Sequence, residues 1–174
     1  HALASEADLT GGRTYVIAAA GSAAARPSEA TSLTRDLLLT VCDLLPSASH
    51  LKVGQVSGHH AAFGPFVTQE LMWRMATSTR TNLEHLELAY NDLGDDGAVA
   101  VAAALNAVTC LVSLDLSGND IGQRGASALY DTLCALPGGS RLQAIKLEDN
   151  PRIPAGQLAS IHTQALVNNL GLMV

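Results

Sequence analysis

The stretch "LELAYNDLGDDG" at residues 86–97 is followed by "LDLSGNDIGQRG" at 114–125. Leu86 matches Leu114, Leu88 matches Leu116, Asn91 matches Asn119, Gly94 matches Gly122 and Gly97 matches Gly125, every pair 28 positions apart. A fixed period of this size marks a repeat architecture, in which each unit buries its apolar face against the next. Working outward, Leu83, Leu86, Leu88, Asn91 and Leu93 spell LxxLxLxxNxL, and Leu111, Leu114, Leu116, Asn119 and Ile121 spell it again. Leu142, Ile145, Leu147, Asn150 and Ile153 spell it a third time. "PGGS" at 137–140 lengthens the loop before that third unit, and Pro151-Arg152 adds one residue before its Ile153.

The alternation of leucines with polar residues predicts a strand with one buried face. The Asn then turns the chain inward, where its amide can satisfy backbone groups that the turn strips of ladder partners. The glycines of "LGDDG" and "IGQRG" make a tight entry to a helix. That helix buries Ala98, Val101, Leu105 and Val108, matched 28 positions later by Ala126, Leu129, Leu133 and Leu136.

Upstream, "LKVGQV" places Leu51 and Val56 where Leu83 and Leu88 sit, with Gly54 at the middle position. "PFVTQELMWRMATS" predicts its helix, with Val67, Leu71 and Met75 on one face. Trp73 falls outside that stripe and is assigned to packing on a flanking helix, an exposed contact being the alternative. "TYVIAAA" at 14–20 predicts a strand, and "SEATSLTRDLLLTVCDLL" a helix capped by Ser28 or Thr31 and stopped by Pro46. Downstream, Leu170 and Met173 lie 28 after Leu142 and Ile145, so the chain ends as a further strand begins. The expectation is one domain over 1–174: irregular units at about 14–50 and 51–82, regular units at 83–110, 111–141 and 142–169, and a partial unit at 170–174.

On these motifs the sequence resembles leucine-rich repeat proteins, specifically the long-repeat, helix-containing type typified by ribonuclease inhibitor, closely over about 83–170 and weakly over 14–78. The resemblance implies an α/β solenoid, a curved right-handed horseshoe fragment with parallel strands on the concave face and helices on the convex face. It also implies protein binding through the concave surface. The chain departs from ribonuclease inhibitor at the turn, where that protein alternates Asn with Cys and Asn91, Asn119 and Asn150 are all Asn. The same repeats occur in GTPase-activating proteins for a nuclear-transport GTPase, in tropomodulin-like actin-capping proteins and in innate-immune receptors.

Composition narrows the classes. Hydrophobic residues make up 48 % of the 174 and aromatics 3 %, so the core must be aliphatic. A net charge of −6 with ten scattered Lys and Arg argues against nucleic acid, which needs clustered cations. The three cysteines, Cys42, Cys110 and Cys134, are odd in number and widely spaced, which suits free, buried thiols in a reducing, cytoplasmic setting. No secretory signal opens the chain, and the apolar "YVIAAAGSAAA" at 15–25 is too short to span a bilayer.

Asn91, Asn119 and Asn150 are expected to stack as a structural ladder. The outward strand positions are the candidate partner-binding face: Glu84, His85 and Glu87, then Val112, Ser113 and Asp115, then Gln143, Ala144 and Lys146. With strands about 4.8 Å apart, Glu87, Asp115 and Lys146 form one row. Tyr90, Gly118 and Asp149 lie just beyond, with Glu148 beside them. This is either an acidic, Tyr-containing patch that meets a basic partner or an ordinary solvated face. His59 and His60, with His50, lack Cys, Asp or Glu at ligand spacing and read as a solvated loop. The expectation is therefore no metal and no cofactor. Asp95-Asp96 and Glu148-Asp149 fall in repeat turns, not across a cleft, and no phosphate loop, nucleophile elbow or HExxH occurs. The reading is a non-catalytic interaction module. The alternatives are a GTPase-activating or other regulatory protein, with Arg124 or Arg152 projecting from a rim, and an actin-capping-like cytoskeletal regulator.

Overall fold

The computed structural model describes residues 2–7, 13–18, 49–53, 65–77, 82–137 and 140–173. Among the described residues seven strands form one sheet in sequence order: β1 (Ala2–Ala7), β2 (Arg13–Ala18), β3 (His50–Val53), β4 (His85–Glu87), β5 (Ser113–Asp115), β6 (Ala144–Lys146) and β7 (Gly171–Met173). β1 and β2 pair antiparallel, and every later pair is parallel. Four helices are described: α1 (Pro65–Thr77), α2 (Gly94–Leu105), α3 (Gln123–Cys134) and α4 (Ala155–Val167). Parallel neighbours need a crossover, and α1 to α4 supply the four that follow β3 to β6. The helix expected from "SEATSLTRDLLLTVCDLL", together with Cys42, Val56, His59 and His60, lies outside the described residues.

The buried face follows the leucine phase. Leu83, Leu86, Leu88 and Leu93, then Leu111, Leu114, Leu116 and Ile121, then Leu142, Ile145, Leu147 and Ile153 are all buried. From the helix side, Ala98, Val101, Leu105 and Val108 meet them, as do Ala126, Leu129 and Leu133; Leu136 is only half-buried. Small residues on α2 keep the helix layer close to the sheet.

The ends of the array differ from the expected alignment. Leu51 pairs with Leu86, not at the place of Leu83, so the step between these units is longer by three residues than the spacing of Leu51 to Leu83. Alternation is the reason: "HLKV" offers Leu51 and Val53 two apart, which is strand spacing, whereas Leu51 and Val56 are not. At the other end "GLM" does enter the sheet beside β6, but Leu172, not Met173, stands opposite Ile145. Met173 falls opposite Lys146 and is exposed. A one-residue slip moves a side chain to the other face, and two adjacent apolar residues give the sequence no means of choosing. β1 was not expected at all: "ALASEA" has no strand-forming pattern and takes its conformation from pairing with β2.

The surface also departs from the sequence reading in places. Trp73 does not pack on a neighbouring helix but stands 59 % exposed. α1 buries Thr68, Leu71, Met72 and Met75, and position 73 falls on the opposite side. Cys110 is half-buried, with burial pushing its thiol pKa up. Cys134 is not buried: it follows Leu133 by one helical position, which turns it to solvent, within hydrogen-bonding reach of Tyr130. Both thiols are free.

Candidate partner-binding face

The turns hold the face in place. Asn119 is fully buried; its Oδ1 accepts the Asn91 N–H at 2.8 Å, and its Nδ2 donates to the Leu88 carbonyl at 2.9 Å and the Ser117 carbonyl at 3.1 Å. Asn150 repeats this one unit on, accepting from the Asn119 and Ile121 N–H groups and donating to the Leu116, Leu147 and Glu148 carbonyls. Each amide thus ties its own turn to the preceding unit.

A second inter-repeat device escaped the sequence reading. Asp95 Oδ1 accepts the N–H of Gly122 and of Gly125, each at 2.8 Å. α3 carries no side-chain cap of its own, so the preceding unit supplies it. Gly125 is needed for this approach, since a Cβ there would lie 2.7 Å from Ala98 Cβ and 2.9 Å from Asp95 Oδ1. Asp95→Ala is expected to cost about 1–2 kcal/mol. Asp95→Asn, which keeps the acceptor, should cost less; urea melts of the pair check this. Arg124 pairs with Asp96, and Arg152 with Asp120 at 2.7 Å, so both rim arginines bridge successive turns.

On the sheet's outer side the register sets two rows. One runs Lys52, Glu87, Asp115, Lys146, Met173; the other runs His50, His85, Ser113, Ala144, Gly171. Among the residues singled out from sequence, Glu87, Asp115 and Lys146 therefore share a row, and His85 stands in the adjacent one. Lys52 and His50 extend these rows, a placement that the alignment of Leu51 with Leu83 does not give. His50 is not in a solvated loop: its Nε2 meets Glu87 Oε1 at 2.8 Å, and its ring lies 5.4 Å from that of His85. Among the described residues, no group of three or more His, Cys, Asp or Glu is placed to hold a metal ion.

The electrostatics of the strands are largely self-contained. Burial pushes the Glu87 carboxyl up, but hydrogen bonds and charge from Lys52 and His50 outweigh it and hold the pKa below the usual carboxylate range. Lys52 Nζ lies 2.6 Å from Glu87, Lys146 Nζ 3.5 Å from Asp115, and Arg141 Nη2 3.0 Å from Glu84. Asp115 Oδ1 also accepts the Ser117 N–H at 3.0 Å, and His85 Nδ1 lies 2.7 Å from Ser113 Oγ. The acidic patch expected from sequence is thus crossed by cations on the strands, and among the described residues its carboxylates stand without ion pairs only at the turn rim.

At that rim Tyr90, Gly118 and Asp149 are the corresponding residues of three units, and all have positive φ (58°, 63° and 56°). Gly118 adopts this without strain, whereas Tyr90 does so against its Cβ. The Tyr90 ring lies over Gly118: a Cβ there would come within 2.2 Å of Tyr90 Cδ1. The Tyr90 hydroxyl donates to Asp149 Oδ2 at 2.5 Å, and this bond, with the charges of Asp149, Glu148 and Asp115, raises its pKa.

A leucine-rich repeat family model matches residues 80–102 and 109–129, the two units of the opening motif. No curated protein matches the sequence. Among solved structures the fold is similar to one titled leiomodin-1 actin-binding site 2, with a TM-score of 0.61 and 18 % identity over 79 % of this chain and 77 % of that one. With the strand-for-strand register and the buried leucine rows, these matches show that the chain folds as an α/β leucine-rich repeat solenoid.

Proposed function

We propose that the chain is a non-catalytic, cytoplasmic interaction module that binds a basic partner protein through the concave sheet face and its turn rim. On this reading residues 1–174 form a single repeat domain, and Glu84, His85, Glu87, Tyr90, Asp115, Lys146 and Glu148 supply the contact. The observation that carries it is the pair of continuous rows across β3 to β7, a polar surface that no helix of the described residues covers. Two further facts agree with it. Among the described residues no helix is long and apolar enough to cross a membrane, and Arg124 and Arg152, the candidates for a GTPase-activating arginine, are held in ion pairs.

An actin-binding role is the second reading, favoured by the likeness to a structure whose title names an actin-binding site. Actin monomers and filaments are therefore the first ligands to test, by anisotropy and co-sedimentation. Reversing Glu87 and Asp115 together to Lys places repulsive charge in the middle of the face and should weaken a basic partner at least about tenfold. Reversing Glu70 and Asp131, on α1 and α3, should change binding less than about twofold. Circular dichroism confirms that both double variants fold. Equal effects, or loss only with the helix-side pair, would place the interface elsewhere.

A further inference from the structure

We infer that the turn rim at Tyr90 is the docking point for an arginine side chain of a basic partner segment, which stacks on the tyrosine ring and pairs with Glu148. This rests on the protein-binding reading and moves the centre of the contact from the strands to the rim. The first observation is the ring itself. Tyr90 is 46 % exposed, yet its ring is held in place by its contact with Gly118 and its hydrogen bond to Asp149. A flat aromatic face held before the partner arrives loses little entropy on binding, which is what a contact anchor requires.

The second observation is charge. The carboxylates of the strands already face Lys52, His50, Lys146 and Arg141. At the rim, Glu148 is exposed and makes no ion pair among the described residues, and Asp149 accepts only the Tyr90 hydroxyl among the side chains described. Glu148 is next to the platform, because its carbonyl accepts the Gly118 N–H at 2.9 Å and the Tyr90 ring lies over Gly118. The third observation is Ser117, in the same turn: it is 5 % exposed, and its Oγ has no hydrogen-bond partner among the described residues. An aromatic face beside an unpaired carboxylate fits a guanidinium, whose plane stacks while its fork pairs with the carboxylate. An acidic segment would be repelled there, and an ammonium would forgo the stacking.

The probe is a hexa-arginine peptide, with hexa-citrulline as its uncharged near-isostere, titrated into the whole chain while the Tyr90 ring resonances are followed by NMR. Hexa-arginine should shift those resonances and hexa-citrulline should not. Glu148→Gln and Tyr90→Leu should each weaken binding about tenfold, while Glu70→Gln, on α1, stays within about twofold. Should Tyr90→Leu disturb the turn, Tyr90→Phe keeps the ring and should retain most of the binding. No shift at Tyr90, or binding that depends on Glu87 but not on Glu148, overturns the inference. If that happens while the Glu87 and Asp115 reversals still abolish partner binding, the protein-binding reading stands alone; if those reversals are also silent, both fall.

Discussion

Leu116→Lys is expected to unfold the repeat array at ordinary temperature. Leu116 is completely buried on the helix side of the sheet, one position past the end of β5. Losing a core leucine costs about 2–5 kcal/mol through lost transfer energy and a cavity. The ammonium that replaces it finds only aliphatic neighbours and adds several more on the order of its desolvation penalty. That sum is comparable to the roughly 5–15 kcal/mol that holds a whole domain together. Gln143→Lys, at an exposed position on the outer side, should stay within about 0.5 kcal/mol. Asp115 makes a poorer control than its outward position suggests, because its carboxylate also accepts the Ser117 N–H and faces Lys146. Thermal melts of the Leu116 and Gln143 variants test the strand phase; equal losses would mean that the wrong face has been taken as buried.

Asn119→Ala should be nearly as damaging, for a polar reason. The substitution leaves the Asn91 N–H and the Leu88 carbonyl without the amide that serves them, and takes one bond from the Ser117 carbonyl, which still accepts the Tyr90 N–H at 2.8 Å. Each buried group left unpaired costs about 1–3 kcal/mol, so the two together give a total of roughly 2–4 kcal/mol, with water entering the cavity offsetting the rest. Asn106→Ala, at an exposed position just after α2, should change stability by less than about 0.5 kcal/mol. Hydrogen exchange adds a local readout. The Asn91 amide should lose protection in the Asn119 variant well beyond the global loss. If it keeps its protection, the side-chain ladder is not what holds that turn.

These two residues also mark how much the sequence could reveal. The 28-residue period in "LELAYNDLGDDG" and "LDLSGNDIGQRG" determined the fold class, the buried leucine rows, the turn asparagines and the row joining Glu87, Asp115 and Lys146. It could do so because a strand alternates with period two, so identical units must bury identical positions and set their neighbours side by side. Where the repetition weakens, that logic has nothing to compare. The register of Leu51 and of Leu172, and the pairing of β1, were decided by ladder hydrogen bonds between strands, which local pattern does not encode. Charge pairing across the face was decided the same way. Glu84 finds Arg141 and Tyr90 finds Asp149 only because the solenoid brings neighbouring units, and units two apart, into reach. Whether a carboxylate on this surface is open to a partner is therefore a property of the stacked repeats: ion pairs depend on distance in space, and the period reports only distance along the chain.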